Sequence, residues 1–182
     1  MSRDFYELCY DQYKYEMSES ERLYQKAGVM LVVLPVLGAI ITSLGRLDIF
    51  TLRFARWDVF AFYLSSVLAF LALVISAVFL FACVYPREYK TLADMDVWQK
   101  WREEYLKYLS AREEEGGDTA ARLDAAMLVN LCPRLVEAQP VNAQINESRR
   151  KAFKKSVKWA AIASVAVGVQ GLFNLILRIQ GV

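Results

Sequence analysis

The sequence predicts an all-α integral membrane protein with three transmembrane helices and a helical cytoplasmic insert between the second and third. Three observations carry that class. Residues 27–45, 59–86 and 159–177 run 19, 28 and 19 residues without an Asp, Glu, Lys or Arg. At about 1.5 Å rise per residue, each can cross a hydrocarbon core of roughly 30 Å. Hydrophobic residues make up 56% of the 182 yet 23% are charged, so the two classes are segregated along the chain rather than mixed. Nowhere does an alternating apolar and polar pattern mark a strand.

Residues 1–26 read as a cytoplasmic amphipathic helix leading into the first span. Tyr6, Tyr10, Tyr13 and Met17 recur at four, three and four residues and share one face, a packing stripe rather than an aromatic ligand cage. Six acidic and four basic side chains precede residue 27, and the apolar run starts late, which argues against a cleavable signal peptide. The first span, 27–45, contains Pro35, whose missing N–H predicts a kink or local opening. Residues 46–58 form a short external interfacial loop, with Leu47, Phe50, Phe54 and Trp57 on one side and Arg46, Arg53 and Arg56 beside them. The second span is 59–86.

Residues 87–158 are expected to be a cytoplasmic helical domain. Val97, Trp98, Trp101, Tyr105, Tyr108 and Leu109 occupy one arc, of which Trp98, Trp101, Tyr105 and Tyr108 form the expected oligomer or partner seam. Charges of both signs cover the other side, which favours a helix–helix seam over a membrane-surface face. The acidic, glycine-containing run 113–118 breaks the helix, and Asp118 or Thr119 can cap the next one. Leu123, Met127 and Leu131 then mark an apolar stripe. Pro133 and Pro140 are expected to end the helix and restart it, and from Val141 nothing interrupts it until Gly181. The third span is 159–178, continuous with a cytoplasmic projection, and 179–182 is an external tail.

Topology follows from the basic residues. Four precede the first span and fourteen lie in 87–158, against three in 46–58 and only Arg178 after the third span. The positive-inside tendency therefore puts the N-terminus and the 72-residue insert in the cytoplasm and the C-terminus outside.

The chain has no histidine, which removes the commonest general acid–base, the commonest metal ligand and every Ser-His or Cys-His nucleophile. The three cysteines, Cys9, Cys83 and Cys132, form no CxxC pair, and no glycine-rich phosphate loop is present. Neither catalysis nor a cofactor or metal is expected.

The third span has two sides. On a wheel of about 100° per residue, Ser164, Gly168, Gln170, Gly171, Asn174 and Arg178 gather on a small, polar stripe, opposite Ile162, Val165, Val169, Leu172, Phe173 and Ile176. Either the stripe lets another helix approach, with the amides bonding across the contact, or copies of it surround a wet path as pore-lining residues. A single three-span chain encloses little, so conduction requires a homo-oligomer. Arg149, Arg150, Lys151, Lys154, Lys155 and Lys158 precede the span as an anchor for anionic headgroups in the lipid bilayer, or as a collar for an anionic ligand.

The pattern YKYEMSESERLYQKAG leads into the first span and VNAQINESRRKAFKKSVKWA into the last, flanking two closely spaced spans and a helical insert. This layout resembles the small transmembrane effectors of bacterial antiphage defence, of the SLATT and Pycsar-effector kind. The resemblance implies an oligomeric inner-membrane protein that permeabilises or depolarises the membrane when infection is sensed. It also implies a nucleotide or oligonucleotide signal made by a partner enzyme. The alternative is a non-conducting membrane scaffold that docks a soluble partner protein.

Overall fold

The computed structural model describes residues 3–45, 56–93, 95–111 and 119–180. Four helices account for most of them: α1 (Arg3–Leu44), α2 (Trp57–Val84), α3 (Met95–Ser110) and α4 (Thr119–Ile179). There is no strand among the described residues. The interfacial pattern at Leu47, Phe50 and Phe54, the acidic break at 113–118 and the end of the tail lie outside the described residues.

Helices α1, α2 and α4 are each long and apolar enough to cross a membrane. Within their most apolar windows only 22%, 28% and 33% of residues are buried, so most of this surface faces something other than the chain itself. Bare apolar surface of that extent is stable only against lipid or other copies.

Two prolines behave differently from the sequence expectation. Pro133 and Pro140 do not end α4, which continues through both for 61 residues in all. An interior proline costs a helix about 3 kcal/mol through its missing N–H and its ring. Both rings lie on the exposed side, while Cys132, Leu135, Ala138 and Asn142 between and beside them are buried. Burial of that face offsets the local cost. Pro35 likewise sits inside an unbroken α1.

The chain divides into two compact units, Met1–Ser20 with Arg87–Asn146 and Glu21–Pro86 with Glu147–Val182. In the first unit, Cys9 and Leu135 pack with Cys132, and Tyr6, Tyr13 and Leu92 border them. The α1 tyrosines flank this core rather than forming it: Tyr6 stacks on Tyr10 at 6.1 Å, and Tyr10 is exposed. The second unit holds three helical segments. Leu34 shares a core cluster with Leu80, Gly38 faces Leu73, and Ile41 clusters with Ala69, so α1 and α2 run antiparallel. Ser76 meets Ser156, and Val59 and Phe62 meet Leu177, so α2 and α4 are also antiparallel. At the start of α2, Asp58 accepts a bond from the Val59 N–H and pairs with Arg56 at 2.7 Å, placing negative charge where the helix dipole favours it. Arg56 also donates to Gln180.

Candidate functional site

Polar side chains buried along α4 separate into groups that are bonded and groups that are not. Asn142 and Asn146, one helical turn apart, are 0% and 1% exposed. Asn142 accepts the Lys90 N–H at 2.9 Å and donates to the Lys90 carbonyl at 2.9 Å. Its amide thus pairs with an irregular segment whose backbone groups have no helix to bond within. Asn146 donates to the Glu16 carbonyl at 2.7 Å and to its carboxylate at 2.8 Å, and accepts the Tyr89 hydroxyl at 2.7 Å. Glu16 is itself buried.

In the second unit, Arg149 is 1% exposed. Its Nε donates to the Cys83 carbonyl at 2.7 Å and its guanidinium lies 4.0 Å from the centroid of Tyr24. Cys83 is in the last turn of α2, where carbonyls lack intrahelical donors and the helix dipole is negative. Arg149 therefore caps α2. The sequence expectation placed it in an outward collar, and its burial removes it from the residues able to meet an external anion. Of the rest, Arg150 and Lys151 pair with Glu147 at 3.4 and 3.5 Å, Lys155 sits 5.2 Å from the Phe79 ring centroid, and Lys154 and Lys158 are exposed.

Ser76 and Ser156, both fully buried, clasp α2 to α4. Each hydroxyl donates to the other residue's carbonyl, at 2.8 and 2.9 Å, with the hydroxyl oxygens 3.1 Å apart. Only side chains this small let two backbones approach so closely.

Farther along the span the pattern changes. Gln170 is 0% exposed and Asn174 5% exposed. Both polar atoms of Gln170 and the carbonyl oxygen of Asn174 have no partner among the described residues. The rest of the stripe lies elsewhere: Ser164, Gly168 and Arg178 are exposed, Gly171 is half-buried, and a Cβ added at either glycine would meet nothing within 4 Å. Ser164 bonds back to the Ala160 carbonyl at 2.9 Å. The stripe is therefore two edges, amides turned inward among Ala163, Val167 and Leu177, and small residues on the open surface.

On α3, Trp98, Trp101, Tyr105 and Tyr108 form a ring ladder. Trp101 and Tyr105 are stacked at 5.2 Å, Tyr105 and Tyr108 at 6.0 Å, and Trp98 meets Trp101 edge-on at 6.3 Å. Arg134 of α4 covers Trp98 at 5.4 Å, so part of the ladder is an internal α3–α4 contact. Tyr105 and Tyr108 border an open groove of about 590 Å³ with Arg122, Val129 and Asn130.

Residues 15–175 match the family model described as the Pycsar effector protein domain. The chain belongs to the Pycsar effector family. This effector is a membrane protein of antiphage defence, in a family that is not a known enzyme family. No curated protein and no solved structure matches the chain individually. The matched stretch contains the Glu16–Asn146 and Tyr24–Arg149 pairs, whose members come from the two sequence patterns that lead into the first and last spans. Sequence reasoning missed Glu16, Asn142 and Asn146 as structural groups. The recurrence of asparagine at i and i+4 in VNAQIN was the available signal.

Proposed function

We propose that this effector is a homo-oligomeric channel or pore that depolarises or permeabilises the bacterial inner membrane in abortive infection, gated through its cytoplasmic helices. The observation that carries it is that Gln170 and Asn174, buried in the third span, hold three polar atoms with no partner among the described residues. Each unbonded buried amide costs about 1–3 kcal/mol, and a helix that only anchored a protein would have no use for them. Their cost is recovered where a conformational change wets them. Ser164, Gly168, Gly171 and Arg178, on the adjoining edge of α4, form the surface along which neighbouring copies meet and line the path. The N-terminus lies in the cytoplasm and the C-terminus outside, following the distribution of basic residues. A nucleotide or oligonucleotide signal from a partner enzyme is the trigger, with Lys151, Lys154 and Lys155 among the cations available to it.

Purified protein in liposomes should release a trapped ion-sensitive dye and run as an oligomer in detergent. A strictly monomeric protein that leaves the vesicles tight overturns the proposal.

The open groove beside Tyr105 and Tyr108 favours a second reading, a non-conducting scaffold that docks a soluble partner. On that reading, replacing Trp98 and Trp101 with alanine abolishes partner recovery, and the wild-type protein leaves vesicles impermeant.

A further inference from the structure

In the second unit, α2 and α4 leave an open furrow of about 450 Å³ between them. Leu68, Ile162, Val165 and Val169 line it, and the small buried residues Ser65 and Ala166 form its floor. Ser65 directs its hydroxyl to the Phe62 carbonyl at 2.8 Å, so the floor offers no polar group. One charge borders the furrow, Lys158, at one end. From Lys158 to Val169 is eleven residues along α4, about 16 Å at 1.5 Å per residue. That is half the roughly 30 Å hydrocarbon core, the depth of one leaflet.

We propose that this furrow is a binding site for one anionic glycerophospholipid. Its phosphate sits at the Lys158 ammonium and one acyl chain lies along Ile162, Val165 and Val169. Charge and length both select this occupant. A cation at headgroup level attracts a phosphate by about 1 kcal/mol, roughly a fivefold preference over a zwitterionic lipid. An apolar channel one leaflet deep matches a single chain. The site is independent of conduction and holds for a pore or a scaffold.

The full chain, reconstituted in phosphatidylcholine vesicles doped with phosphatidylglycerol carrying a diazirine in its acyl chain, tests this. Irradiation and peptide mapping should place the label within 161–169 and 65–68. Unlabelled phosphatidylglycerol should compete, and phosphatidylcholine should not. Lys158→Gln should reduce capture about fivefold, whereas Lys154→Gln, on an exposed residue outside the furrow, should leave it unchanged. Val165→Trp should fill the furrow and abolish capture; Val165 is 69% exposed, so the change does not burden internal packing. Label spread evenly over the exposed apolar faces of the helices, or equal competition by both lipids, would each overturn the site.

Discussion

Two pairs of amides, each one helical turn apart on α4, meet opposite fates. Asn142 and Asn146 are buried in the first unit with donors and acceptors bonded to Lys90, Glu16 and Tyr89. Gln170 and Asn174 are equally buried in the second unit and hold three polar atoms with no partner among the described residues. Satisfied amides specify a structure, because any other arrangement loses several bonds at once. Unsatisfied ones raise the energy of the state that buries them and so favour whichever state exposes them. The first pair fixes a fold; on the channel proposed above, the second loads a transition.

The largest effect should come from removing the unsatisfied pair. Gln170→Leu with Asn174→Leu should lower ion flux from liposomes by about tenfold or more while leaving the thermal midpoint unchanged or higher. Unchanged flux would reduce both amides to packing groups and erase the contrast. The satisfied pair should answer in the opposite sense. Asn146→Leu takes a bond from both Glu16 and Tyr89 and should cost about 3 kcal/mol in denaturant unfolding, with flux lost only in proportion to folded protein. A smaller loss, about 2 kcal/mol, is expected for Arg149→Met, which strips the donor from the α2 terminus. Replacing Ser76 with alanine removes one interhelical hydroxyl and should cost only about 0.6 kcal/mol, the average for hydrogen bonds between membrane helices. Least of all, Lys90→Met breaks an exposed bridge to Glu137 and should leave the thermal midpoint where it was.

The all-α class and the three apolar helices were legible because an uncharged run of 19 residues or more has few physical uses besides crossing lipid. What composition could not reveal was direction. Arg149 is one of six cations within ten residues, and nothing local distinguishes the one that turns toward the last turn of α2 from those that reach outward. A wheel likewise places Gln170 and Gly168 at the two ends of one broad polar arc, about 160° apart, and cannot say which end α1 and α2 cover. Nothing local to Asn142 and Asn146 shows that the chain after α2 lies alongside to bond them. Pro133 and Pro140 misled for a related reason. The missing N–H is a local property, whereas tolerance of it depends on which face is buried.

Those two prolines have a mechanical consequence. They lie seven residues apart, two turns of helix, and both point away from the core built on Cys132 and Leu135. A helix bends away from a proline ring, so both rings bias the curvature of this stretch in one plane, concave toward that core. Each ring also removes a rung from the hydrogen-bond ladder on its convex side. The stretch is therefore compliant in a single direction, like a strip hinge, and stiff in the others.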